Sequence, residues 1–113
     1  MLKKINRINK DKEFDRVFKT GQSFYGRILS IKAANNDQDI NRFGILINTK
    51  VSKKAVVRNK LRRQIRGLIR QELDKLKTGY DLVIIVFPLI LDKEYLEIEQ
   101  TLTRGLKQLS LYK

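Results

Sequence analysis

The chain has 113 residues, 42% of them hydrophobic, with 25 Lys and Arg against 12 Asp and Glu, for a formal charge of +13. That size suits one compact domain and leaves little volume for a large enclosed active site, while the charge favours nucleic acid as a partner. Cys and His are both absent, which excludes a disulfide framework, a thiolate metal site and an imidazole general base.

In chain order, Met1-Leu2-Lys3-Lys4 leads into polar sequence where a signal peptide would need an apolar stretch. No apolar run approaches the roughly 20 residues that span a bilayer, so a cytoplasmic location without membrane contact is expected. Asn9 is a candidate cap for a short helix carrying Phe14, Val17 and Phe18 on one face, with Gly21 placed for a left-handed stop. Taken alone, Phe14 and Phe18 read as core. Beside a basic helix, the same rings read as the border of a groove where bases stack.

From Ser23 to Lys32 the sequence is rich in strand formers, and Asn35-Asn36-Asp37 supplies turn residues. Phe43 to Thr49 reads as the next strand and as a hairpin partner of the first. Gly44 marks a bulge or a close approach of backbone.

Lys50 to Arg70 holds nine Lys and Arg and no Asp or Glu. Within and beyond it, Val57, Leu61, Ile65, Leu68, Leu73 and Leu76 recur at steps of three to five, predicting a helix with one buried stripe. Ser52 is the candidate cap, and Thr78-Gly79 ends the helix. At about 100° per residue, Asn59, Arg62, Arg63, Arg66 and Arg70 share roughly a 100° arc beside the stripe. The positive charge therefore forms a face. Arg58 projects close to the buried stripe and reads partly as an anchor for the helix start.

Tyr80 to Phe87 is almost continuously apolar, as in a strand covered on both faces, and Pro88 ends it. A strand, a long helix and a buried strand predict a crossover unit with two parallel strands. The last helix is expected from Asp92, with Glu94 and Glu97 at its positive end, Arg104 and Lys107 at its negative end, and Tyr95, Ile98, Leu102, Leu106 and Leu109 buried.

The acids are too scattered for a metal nuclease, which needs several carboxylates on one or two cations. Asp11, Glu13 and Asp15 alternate on a short helix, Asp37 and Asp39 sit in a turn, and the Glu94 to Glu99 group is explained by the helix dipole. Ser23 and Ser52 lack a base partner, and no phosphate-binding loop occurs. No catalytic residue and no metal ligand is assigned. The basic segment itself suits phosphates, which Arg binds bidentately and which Asn can bridge.

Ala55-Val56-Val57-Arg58-Asn59-Lys60-Leu61-Arg62-Arg63 resembles the signature of the bacterial ribonuclease P protein component, with Lys60 at a place usually held by Arg. In that signature Ala-Val-x-Arg-Asn is followed by a basic, an aliphatic and two more basic residues. Arg7-Ile8 with the run Phe14 to Ser23 resembles the family's amino-terminal helix, Arg42-Phe43-Gly44-Ile45 a strand, and Asp81-Leu82-Val83-Ile84-Ile85 before Pro88 its late strand. The chain departs from the pattern in three places. The spacing from Gly44 to Arg58 is about one residue longer, Ser52-Lys53-Lys54 replaces a Gly-Asn turn, and Lys32 stands where an aromatic is common.

The resemblance implies an α+β fold, an α-β sandwich in the order helix, strands, helix, strand, helix, like the second domain of a small-subunit ribosomal protein. It implies a mixed sheet with a left-handed crossover, where the ordinary expectation is right-handed. It also implies that the groove between the first helix and the sheet takes the single-stranded 5′ leader of precursor tRNA. On this reading Phe14 and Phe18 line the groove, Ser23 and Lys32 are its neighbours, and Arg58, Asn59, Lys60, Arg62, Arg63 and Arg66 face the catalytic RNA. Lys50, Lys53, Lys54 and Arg70 belong to the same RNA-facing stretch. Magnesium would be held mainly by the RNA subunit, the catalytic groups would lie on that RNA, and DNA would not be a partner. The rival readings are a ribosomal or other structural RNA-binding protein, a helix-type DNA reader and an autonomous nuclease.

Overall fold

The computed structural model describes residues 2–113. Seven regular elements follow one another: α1 (Asp11–Thr20), β1 (Gln22–Tyr25), β2 (Leu29–Asn35), β3 (Arg42–Leu46), α2 (Ala55–Glu72), β4 (Tyr80–Val86) and α3 (Tyr95–Gln108). The strands make one mixed sheet in the order β1-β2-β4-β3. β1 with β2, and β2 with β4, run antiparallel, whereas β3 and β4 run parallel across the connection through α2. The α+β class and the parallel pairing of two strands across a long helix agree with expectation.

Pairing within the sheet corrects two expectations. Residues 23–32 do not form one strand: the chain reverses after Tyr25, and β1 returns on β2 with Ser23 opposite Lys32. Nor is the third strand a hairpin partner of the strand before it, because β4 lies between β2 and β3. The physical reason is burial. β4 sends Leu82, Ile84 and Val86 into one core and Val83 into the other, and a strand apolar on both faces belongs in the middle of a sheet with helices on each side.

Helix boundaries also shift. Lys10, Lys54 and Glu94 occupy the cap positions, none with a side-chain capping bond, so Asn9, Ser52 and Asp92 do not start the helices. Asp92 instead ends a 3-10 turn, Pro88–Asp92. Gly21 is extended, at φ −79°, and passes directly into β1 without the left-handed stop. α2 ends at Glu72 and a 3-10 turn, Leu73–Lys75, follows, which places Leu73 and Leu76 beyond the helix. Gly79, at φ 94°, then turns the chain into β4, a conformation that suits glycine.

Two cores result. α2 and α3 cover one face of the sheet, where Ile65, Leu68, Leu102 and Leu106 meet Ile31, Leu82 and Ile84. Each such side chain stabilises by roughly 1.5–3 kcal/mol when fully buried. Tyr95, expected in the α3 stripe, is exposed, and Leu109 is half-buried past the helix end. On the other face, α1 places Val17 on Ala34 and Val83, with Phe14, Leu46 and Ile85 half-buried around them. α1 has only 10 residues, so this face is incompletely covered and a groove remains. Among the described residues, no helix is long and apolar enough to cross a membrane.

Candidate nucleic-acid interface

The stretch Lys50 to Lys54 is a turn preceding α2, anchored by Val51, which is buried. Its backbone is held locally: Asn48 Oδ1 accepts from Lys50 N at 2.9 Å, and Ser52 Oγ accepts from Lys54 N at 3.2 Å. Arg58 Nη1 donates to the Ser52 carbonyl at 2.8 Å, so this arginine anchors the helix start, in keeping with its position beside the stripe. Leu61, Ile65, Leu68 and Ile69 are buried beneath the helix and fix its rotation. Asn59, Lys60, Arg63 and Arg70 are consequently exposed, and Arg62 and Arg66 half-buried.

No Asp or Glu pairs with any of these cations among the described residues; the ion pairs found lie elsewhere. α2 also has no acid in its first turn, and Lys53 and Lys54 stand just before it, where the helix dipole disfavours positive charge. α3, by contrast, carries Glu97 in its first turn. The basic charge on α2 is thus uncompensated from within the protein, as expected of a surface that meets phosphates.

Asn59, Arg62, Arg63, Arg66 and Gly67 line a hollow of about 430 Å³ on the outer side of α2. Arg62 Nη1 donates to Asn59 Oδ1 at 3.1 Å, which orients one guanidinium along this face. A Cβ on Gly67 would meet nothing within 4 Å, so no close packing requires glycine there, although it costs about 1 kcal/mol in a helix. Its effect is to leave the hollow between the arginines open.

The expected groove residues form two groups. Lys32 Nζ donates to Ser23 Oγ at 3.0 Å and lies 6.0 Å from the Phe18 ring centre and 5.6 Å from that of Tyr25. Phe18 is 39% exposed and Tyr25 76%, so both rings present surface rather than core. Tyr25 is a groove residue that the residue order does not single out, because the continuous run of strand formers from 23 to 32 hides the reversal that brings its ring to Lys32. The Tyr25 hydroxyl is held below its usual range by the Ser23 hydrogen bond and the Lys32 charge.

Phe14, one turn earlier on α1, belongs to the second group. Its ring lies against Gly44 of β3, where an added Cβ would sit 2.4 Å from Cε1. The glycine therefore marks a close approach, but of an aromatic ring rather than backbone. Phe14 and Gly44 also line a cavity of about 420 Å³ that reaches Arg66 of α2. Phe14 and the basic helix are in this way joined by one cavity, which residue spacing did not foretell.

The acids of α1 do not form a cation site. Glu13 pairs with Arg42, Asp11 and Asp15 are exposed, and no group of three or more Asp or Glu among the described residues is placed to hold a metal.

Comparison with known proteins agrees with this geometry. The family model described as Ribonuclease P matches residues 2–110. A ribonuclease P protein component from Clostridium botulinum is 42% identical over 110 residues, covering 96% of this chain and 98% of the relative. A Staphylococcus aureus ribonuclease P protein mutant with defective mRNA degradation activity superposes with a TM-score of 0.89 at 30% identity, covering 96% of this chain and 92% of that one. The Thermotoga maritima ribonuclease P protein gives 0.81 at 26% identity, covering 90% and 96%.

Proposed function

The chain belongs to the ribonuclease P protein family, and on that premise we propose how its own surfaces serve the ribonucleoprotein that removes the 5′ leader from precursor tRNA. α2 lies against the catalytic RNA through Asn59, Lys60, Arg62, Arg63, Arg66 and Arg70, with Lys50, Lys53 and Lys54 extending the contact and Arg58 setting the helix start. The single-stranded leader occupies the groove of Phe14 and Phe18, with Ser23 and Lys32 at its edge. The observation carrying this reading is a helix face of arginines that has no acidic partners among the described residues and shares a cavity with Phe14.

The contribution is electrostatic. Two RNAs repel one another, and cations on a stiff helix offset that repulsion and favour association, with the salt dependence of counterion release. Exposed rings stack on unpaired bases without demanding a sequence. Magnesium is assigned to phosphates of the RNA subunit, a reading consistent with the scatter of carboxylates among the described residues. Catalytic groups are likewise assigned to that RNA. The location that follows is the cytoplasm, and neither membrane nor DNA is a partner. Family membership sets aside the ribosomal-protein reading.

The test is cleavage of precursor tRNA at low magnesium by the catalytic RNA alone, the protein alone and both together. Cleavage restored only in the mixture, with tighter binding of leader-bearing than mature tRNA, is expected. Equal affinity for the two tRNAs would reject the leader groove. A similar Staphylococcus aureus ribonuclease P protein mutant is defective in mRNA degradation activity, so the protein-alone arm is informative as well, since cleavage there would favour an autonomous nuclease.

A further inference from the structure

The cavity between α1, β3 and α2 carries more than the join described above. Its polar lining includes Lys4, Arg7, Asn9 and Arg66, and no carboxylate lines it. Its floor is apolar, from Phe14, Phe43, Gly44 and Ile45, which strengthens any charge interaction within it.

Arg7 is fixed in place. The segment before α1 adds to the outer edge of β3 through a bridge between Arg7 and Phe43, in which Ile8 N donates to the Phe43 carbonyl at 2.9 Å. Arg7 Nε and Nη2 both donate to the Leu2 carbonyl, at 3.0 and 2.7 Å. Those bonds hold the guanidinium rigid without neutralising it. Burial, with the nearby charges of Arg7 and Arg62, pushes the Arg66 guanidinium down from its usual range. Cations from two separate parts of the chain are thus crowded against one opening without a counter-charge, an arrangement that an anion would relieve.

We infer that this cavity is a phosphodiester-binding site, formed by Lys4, Arg7 and Arg66, that holds one backbone phosphate of the leader where the strand passes from the aromatic groove to α2. The inference rests on the leader-groove reading and adds residues outside the basic helix to it. The fixed arginine selects for charge and position, and the apolar floor gives the adjoining sugar a surface to rest on. Base identity is not read here, because phosphate contacts position a strand without specifying its sequence.

The experiment uses the reconstituted holoenzyme and precursor tRNAs carrying a neutral methylphosphonate at successive leader linkages. For the unaltered protein, one linkage should weaken binding by about tenfold, the scale of a hydrogen bond to a charged group. With Arg7→Gln, that same linkage should cost nothing further, while other linkages keep their effects, as in a double-mutant cycle. Arg7→Lys, and Lys4→Gln at an exposed position, guard against loss of folding, which a thermal melt of each variant checks. If every linkage costs Arg7→Gln as much as the unaltered protein, the site is refuted. If Arg7→Gln instead weakens binding to the catalytic RNA without tRNA present, the phosphate belongs to that RNA and the leader assignment is refuted. Leader-bearing and mature tRNA bound equally by the unaltered protein would mean that the groove reading itself had failed.

Discussion

Arg42 and Asp81 stand side by side on the parallel strands β3 and β4 and are joined twice, Nε to Oδ1 at 2.8 Å and Nη2 to Oδ2 at 2.7 Å. Asp81 has no exposed side-chain surface, and it also accepts from Arg16 at 2.6 Å and from Asn36 at 2.9 Å. One carboxylate therefore clamps α1, the loop after β2 and the parallel strands β3 and β4. Removing it with Asp81→Ala would leave two guanidinium groups beside an apolar core. A loss of about 3–5 kcal/mol is expected, measured by urea unfolding.

The same carboxylate sets an acid limit. Burial pushes Asp81 up, but hydrogen bonds from Arg42, Asn36 and Arg16 outweigh it and leave the group below its ordinary 3.8. A depressed carboxylate contributes stability above its unfolded value and loses it as pH falls through the folded value. Stability should hold down to about pH 4 and decline below. Asp81→Asn should flatten that decline, as thermal melts across the acid range will show.

Tyr112 sets the opposite limit. Its hydroxyl donates to Glu72 Oε1 at 2.8 Å, and burial followed by the Glu72 interaction pushes it well above its ordinary 10.0. A raised tyrosine contributes stability that is complete below its unfolded value and is lost as pH rises beyond it. Tyr112→Phe should cost about 1.5–3 kcal/mol near neutral pH, the value of a hydrogen bond to a charged group. It should also remove this part of the alkaline loss, followed by the unfolding midpoint above pH 10.0.

Gly44→Ala tests the support beneath Phe14. The new methyl would lie 2.4 Å from the ring, so the ring or the helix must move. Such overpacking costs about 1–3 kcal/mol. Affinity for leader-bearing tRNA should fall more than affinity for the catalytic RNA, compared by titrating each.

Arg62 and Arg58 separate contact from support. Arg62→Ala should lower the slope of log affinity against log salt by about 0.7–0.9 with little change in stability. Arg58→Ala removes the bond to the Ser52 carbonyl, so it should also cost about 0.5–1.5 kcal/mol of folding free energy. Equal effects of the two variants on the unfolding curve would contradict this division of labour.

How much of this was legible in the residue order depended on range. The stripe of Leu61, Ile65 and Leu68 and the doubly apolar run Tyr80–Val86 announced α2 and β4, because burial imposes a local period. The charge face was legible from the gap in acids between Asp39 and Glu72. Strand pairing was not: no local pattern says that β4 separates β2 from β3, and the reversal after Tyr25 lay inside a continuous run of strand formers. Capping residues misled because backbone turns, not side chains, begin the helices. Arg7, which enters the sequence reading only through the amino-terminal resemblance, and Tyr25 show no site role in the residue order for one reason, since each acquires its setting from a strand distant or reversed in sequence.

The position of β4 governs how the chain can be made. During synthesis β2 and β3 emerge with open edges and no common neighbour, and α2 follows before the strand that completes its platform exists. The sheet is assembled only once Val86 has left the ribosome. Nascent chains halted before that point would carry two unsealed strand edges, a template for aggregation, so late translational pauses should be more damaging to this protein than early ones.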